Sequence, residues 1–382
     1  MSQANIQFAA AEWRGMIGDD FTFGRVRALA KAMARLARAK RKRPKLLVAY
    51  DTRFLSREFA RAAASTLESE GARALLADRA APAAAVSLEI LRRKLDGGLY
   101  VTAGHDPAEY NGLRWIEADG AATDPKRAAE IERLAANPAG AEPDAGEGER
   151  LAAEEIDPSP AYLERLAELV RVDAIGRAGL EVVYDAMHGA GAGWLDQLFL
   201  AGSVPVHILN ADRDVLFDGR APDPVPANLD CLADALADRG AALGLATGGD
   251  GRRFGIVDSE SGFIPAAYIA GLIYDYLVES RGWRLGIAQG AAAAPLVDAV
   301  AHHHGLPVYR TASGFEPLAS LLARDQVAAG VDEDGGLTIR GHVPESDGIL
   351  ACLLVAEMVA ERGPIDGQLK KLLRRLGKEG ER

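Results

Sequence analysis

Tyr100-Val-Thr-Ala-Gly-His-Asp-Pro-Ala-Glu-Tyr-Asn-Gly-Leu-Arg114 runs from β-branched and small residues into a polar turn that holds Pro107 and the Asn111-Gly112 pair. The pattern predicts a strand ending at about Ala103, with Gly104 and His105 presented at its carboxyl end, where open α/β sheets place their ligands. Upstream, Leu46-Leu-Val-Ala-Tyr50 reads as a buried strand, followed by Asp51-Thr-Arg53 and a helix over 56–70. A strand over 73–77, a helix over 83–94 and the strand over 98–103 complete a strand-helix-strand-helix-strand unit.

The same order occurs twice more. Residues 180–186 form a strand, Met187-His188-Gly189-Ala190-Gly191-Ala192-Gly193 opens the next helix, and a strand over 204–209, a helix over 227–239 and a strand over 242–246 follow. This second unit ends in Thr247-Gly-Gly-Asp-Gly-Arg-Arg253. The third runs from a helix over 265–280 to a strand over 327–330 and ends in Val331-Asp-Glu-Asp-Gly-Gly336. Right-handed crossovers then give three consecutive βαβαβ-type α/β domains, each a small, largely parallel sheet between helices. The expected boundaries are 1–140 for the first domain, an Ala/Gly/Pro/Glu-rich linker over 141–160, 161–258 for the second, and 259–382 for the third with a C-terminal helix.

With 382 residues, 48% hydrophobic and 26% charged, the chain has the composition of an ordinary globular protein of two or three domains. A net charge of −11 argues against a nucleic-acid or anionic-membrane partner. The basic run Arg38, Lys40, Arg41, Lys42, Arg43, Lys45 lacks interleaved aromatics and reads as a solvated helix C-terminus. Cys231 and Cys352 lie in apolar helical patterns, which predicts buried free thiols. No secretory pattern opens the chain, and the apolar run over 349–360 is too short to span a bilayer, so a cytoplasmic location is expected. His302-His-His304 precedes Gly305 and reads as exposed helix-end histidines rather than a metal site. Gln368-Leu-Lys-Lys-Leu-Leu-Arg-Arg375 forms an amphipathic helix expected to pack on the third domain.

Thr102-Ala-Gly-His105, Asp51-Thr-Arg53, Asp185-Ala-Met-His-Gly-Ala-Gly191 and Arg340-Gly-His342-x-Pro344, in this order, resemble the α-D-phosphohexomutases, the phosphoglucomutase and phosphomannomutase family, over nearly the whole chain. The resemblance implies a cleft built from three loops, a phosphoserine that exchanges phosphoryl groups with a hexose phosphate, and Mg²⁺ held by three aspartates. The family's serine corresponds to Gly104, which has no hydroxyl, beside His105. Its Asp-x-Asp-x-Asp-Arg loop corresponds to Gly248, Asp250, Arg252 and Arg253. One carboxylate and a guanidinium make specific Mg²⁺ binding unexpected; an alternative is that Arg252 itself stands in for the metal's charge and pairs with Asp250 or a ligand phosphate.

Other positions depart too. Ala9-Ala-Ala-Glu12 replaces a glycine turn before Trp13-Arg14-Gly15, leaving Arg14 to contact phosphate or to pair with Glu12. Glu316 stands where the family commonly has lysine. The sugar loop, Gly-Glu-Glu-Ser-Gly in the family, becomes Val331-Asp332-Glu333-Asp334-Gly335, in which Glu333 is kept; Arg340 and His342 also match. No counterpart of the family's fourth, phosphate-binding domain is recognisable. The expected reading is a phosphohexomutase-like pseudoenzyme that binds a partner protein covering the open cleft, or a sugar phosphate. The alternatives are a divergent active mutase, with His105 as phosphoryl carrier, and a non-catalytic sugar-phosphate sensor using Glu333, His342 and Arg14. Oligomeric state is left open.

Overall fold

The computed structural model describes residues 12–136, 153–290, 294–312, 315–332 and 335–377. They fall into two compact units, Met1–Tyr162 with Asp214–Ala221, and Leu163–Arg213 with Pro222–Arg382.

Unit 1 carries a six-stranded sheet in the order β1-β5-β4-β2-β3-β6. Its strands are β1 (Glu12–Met16), β2 (Lys45–Tyr50), β3 (Arg73–Ala77), β4 (Gly98–Val101), β5 (Tyr110–Ile116) and β6 (Glu154–Ile156). Successive side chains of a strand point to opposite faces. Leu46, Val48 and Tyr50 accordingly join the core beneath the helices Phe23–Lys40 and Ser56–Ser69, while the helix Ala83–Arg93 packs on β2 and β4.

Unit 2 contains two sheets. One has the order β11-β10-β9-β7-β8, from β7 (Val182–Asp185), β8 (Val206–Leu209), β9 (Leu243–Thr247), β10 (Phe254–Asp258) and β11 (Gly262–Ile264). The other has the order β13-β12-β14-β15, from β12 (Gly286–Gln289), β13 (Val308–Arg310), β14 (Val327–Val331) and β15 (Leu337–Ile339).

The three sheets share one internal order: second strand, first, third, then an antiparallel return strand. The parallel pairs are β2 with β3 and β4, β7 with β8 and β9, and β12 with β13 and β14. The return strands are β5, β10 and β15. Each polar glycine loop is therefore the tip of a hairpin. The expectation of largely parallel sheets is corrected at this edge: residues 110–116 and 254–258 pair back onto the strand that precedes their loop.

The helix Gly348–Arg362 buries every residue from 348 to 359. A helix apolar all round must be covered all round. It packs on β9 and β10 of one sheet, on β15 of the other and on the helix Ala266–Arg281. The only acidic residue in that buried stretch, Glu357, is fully buried and accepts hydrogen bonds from Arg171 Nε (3.0 Å), Tyr276 Oη (2.7 Å) and Arg281 Nη2 (2.7 Å). Burial pushes its carboxyl up, but Arg281, Tyr276 and Arg171 outweigh that and hold it below the usual range.

Further expectations need correction. Residues 187–194 form turns, and the helix begins only at Leu195. Cys231 is exposed because Leu232 and Leu236 take the inward face of the helix Asp230–Arg239; Cys352 is buried. His304 is not an exposed helix-end residue: its Nε2 lies 2.9 Å from Asp275, with a side chain only 8% exposed. Asp275, Glu279 and His304 cluster closely enough to suggest a metal, but Arg362 and Arg375 already neutralise the two carboxylates, and Arg375 fixes the helix Ile365–Arg375 to the helix Ala266–Arg281.

Candidate functional site

In unit 1 the loop between β4 and β5 is shaped by Arg53, whose side chain is completely buried. Its Nη1 donates to the carbonyls of Pro107 (2.8 Å) and Tyr110 (3.0 Å), and its Nη2 to those of Gly104 (2.9 Å) and Asp106 (2.6 Å). Asp51 lies 3.3 Å from Arg53 Nε and accepts from Ser56 Oγ at 2.7 Å. Phe217, from the segment Asp214–Ala221, covers the guanidinium at 5.2 Å. The Asp-Thr-Arg motif thus builds the loop rather than facing a ligand.

Gly104 takes φ +59°, in the left-handed region that costs other residues roughly 1 kcal/mol or more. Its N–H donates to Thr102 Oγ1 at 2.9 Å. His105 follows in the same turn, half-buried. Arg14, on β1 alongside, pairs with Glu12 and donates to Asp106 Oδ1 at 2.8 Å. The expected pairing of Arg14 with Glu12 is present, and two carboxylates share the cation.

In unit 2 the loop between β9 and β10 closes on itself. Asp250, 3% exposed, receives the Arg252 backbone N–H on Oδ1 (3.1 Å) and Arg252 Nε on Oδ2 (2.5 Å). Arg253 is held by both carboxylate oxygens of Asp223 at 3.0 Å. Gly248 and Gly249 offer only backbone, and Gly248 N donates to Arg253 O (3.0 Å). A divalent cation with hard-oxygen preference finds one carboxylate here, both of its oxygens already engaged by Arg252; the residues present do not fit Mg²⁺.

The segment 186–191 supports this loop from behind, Ala190 N donating to Gly249 O at 2.8 Å. Met187 and His188 take φ +48° and +54°, held by Met187 N on Asp185 Oδ1 (2.8 Å) and His188 Nδ1 at Asp212 O (2.8 Å). These contacts give His188 a structural role.

The N-terminus of the helix Gly348–Arg362 lies between this loop and the one joining β14 to β15. Gly348 N donates to Gly251 O (2.9 Å), and Asp347 N to Leu337 O (2.9 Å). A Cβ at 348 would lie 2.4 Å from Arg253 O, so the close approach needs glycine. Asp347 caps the helix through Leu350 N (3.0 Å) and lies 2.7 Å from His342 Nε2, both side chains fully buried. His342 is thereby a positioning group for that cap.

Asp332 closes its own turn, accepting from Gly336 N at 2.6 Å. Arg340 is exposed and donates to Asp325 Oδ2 at 2.6 Å. Glu333, Asp334, residues 9–11 and the Glu316 side chain lie outside the described residues. Sequence reasoning missed Asp223, Asp347 and Phe217; Asp223 and Phe217 meet their partners across long sequence separations and have no local signal, whereas Asp347, three residues before Leu350 at the start of an apolar run, could have been read as a helix cap.

Three α/β/α domains with one strand order, each ending in a polar hairpin tip at the strands' carboxyl ends, define the class. Models of phosphoglucomutase/phosphomannomutase α/β/α domains I, II and III match residues 5–141, 160–262 and 266–377. A phosphoglucomutase/phosphomannomutase of Thermococcus kodakarensis is 30% identical over 328 residues, 86% of this chain and 71% of that protein. A Methanothermobacter thermautotrophicus protein assigned as a phosphoglucosamine mutase is 29% identical, with 72% of this chain aligned to 58% of its length. The crystal structure of a Thermus thermophilus protein assigned as a phosphomannomutase superposes with a TM-score of 0.89 at 30% identity, covering 98% of this chain and 84% of that one. The chain belongs to the phosphoglucomutase/phosphomannomutase family.

Proposed function

We propose that this chain keeps the phosphohexomutase fold without phosphoryl exchange and serves as a binding or regulatory protein in carbohydrate metabolism. The observation that carries this is the Arg252–Asp250 pair, which fills the one carboxylate of the loop between β9 and β10 with a cation of the chain's own. Phosphoryl transfer rests on positioning and on neutralising charge at the phosphoryl oxygens. Arg252 is committed to Asp250, Arg14 to Glu12 and Asp106, and Arg253 to Asp223. Gly104 has no side-chain hydroxyl to accept a phosphoryl group.

The ligand classes in keeping with this are a hexose phosphate, held through Glu333 and its neighbours, or a partner protein. The relatives named as mutases set the assay. Glucose, mannose and glucosamine 1-phosphates are supplied with Mg²⁺ and the matching 1,6-bisphosphate, and formation of the 6-phosphate is followed. The expected rate equals the protein-free blank; turnover that scales with protein concentration overturns the proposal.

A further inference from the structure

Residues 21–50 contain ten Lys and Arg and no Asp or Glu, in a chain whose other residues carry 34 Lys and Arg against 55 Asp and Glu. The helix Phe23–Lys40 occupies most of this stretch. It buries Val26, Leu29, Met33 and Leu36 and packs against the helices Ser56–Ser69 and Pro125–Ala136. At about 100° per residue, Arg27, Lys31, Arg35 and Arg38 share an arc of about 80° and span about 16 Å of the helix's length; Arg38 is exposed and the other three are half-buried. Past the helix end, Arg41, Lys42 and Arg43 are exposed. Arg35, Arg38, Lys40, Arg41 and Lys42 line an open depression there.

The helix dipole favours cations only in the last turn. Arg27 and Lys31 lie outside that turn, and Arg27, Lys31 and Arg35 stand four residues apart, a spacing at which like charges repel by roughly 0.2–0.5 kcal/mol per pair. Solvation of a helix C-terminus therefore accounts for the end of the run and not for the stripe.

We propose that this stripe is a docking surface for an acidic polypeptide segment. Carboxylates four residues apart on an acidic helix repeat at the same ~5–6 Å spacing as the cations here, so the two rows can interleave. A membrane surface would require apolar side chains to insert, whereas the surface residues beside the cations are Gly24, Ala28 and Ala39. Phe23 packs inward on Phe59 at 4.4 Å. A nucleic acid would meet a molecule of net charge −11, no amide side chain among the cations, and one aromatic, Phe23, whose ring is already taken up by Arg27 at 5.8 Å and by Phe59.

The test is fluorescence anisotropy of a labelled polyglutamate peptide with the full chain, at low and high salt. The comparison probes are a single-stranded oligonucleotide of equal charge and anionic vesicles. Saturable peptide binding that weakens with salt is expected, falling about tenfold in the Lys31→Ser/Arg38→Ser/Lys42→Ser variant. Lys42→Ser alone, outside the helix, is expected to weaken it about twofold with an unchanged melting temperature. Absence of peptide binding, equal affinity in both variants, or tighter binding of oligonucleotide or vesicles overturns the proposal.

Discussion

Arg252 shows how one side chain can change what a loop requires. Its Nε sits 2.5 Å from Asp250 Oδ2, and its backbone N–H holds the other oxygen, so the loop is neutral and closed without an added cation. Wild-type protein is expected to show no saturable rise in melting temperature with Mg²⁺. The Gly248→Asp/Arg252→Asp variant removes the internal cation and adds two carboxylates; it should melt below wild type and regain about 2.7 kcal/mol at Mg²⁺ about 100-fold above its Kd. Thermal melts across a Mg²⁺ series check both halves. The Asp250 and Arg252 positions and the option of their pairing were legible in the sequence, because the two residues are only two apart. The double hold on Arg14 was only half legible: Glu12 is a near neighbour, whereas Asp106 arrives through the pairing of β1 with β5.

At the scale of elements, the helix Gly348–Arg362 joins two sheets and carries one buried carboxylate within its length, Glu357. Since Glu357 is held below its ordinary value of 4.5, its contribution is fully present above that value and is lost as pH falls through the lower, folded value. Urea midpoints measured downward from pH 7 should fall in this acid range. Glu357→Gln should remove that part of the acid dependence and cost about 3 kcal/mol at neutral pH, because Arg171 and Arg281 lose their shared partner. The helix itself was legible from its unbroken apolar run, and most parallel strands from short apolar runs bounded by turns. The return strands were not. β5 reads Tyr-Asn-Gly-Leu-Arg-Trp-Ile, where Asn111 and Gly112 signal a turn, yet pairing with β4 on one side and β1 on the other makes it a central strand.

For the whole molecule, the threefold strand order carries the family assignment, and that repetition was legible because each unit repeats the same succession of elements. The chemistry was legible only as residue identities: Gly104 cannot hold a phosphoryl group, and Gly248 cannot hold a metal. The second partner of Arg14 depended on strand pairing, and the partner of Arg253 on a segment distant in sequence, Asp223. No helix among the described residues is long and apolar enough to cross a membrane. These loops are expected to accept no phosphoryl group, and the intact mass of the protein after incubation with glucose 1,6-bisphosphate and Mg²⁺ tests this directly. An unchanged mass is expected; a stable gain of one phosphoryl group would show that the chain still carries out the exchange.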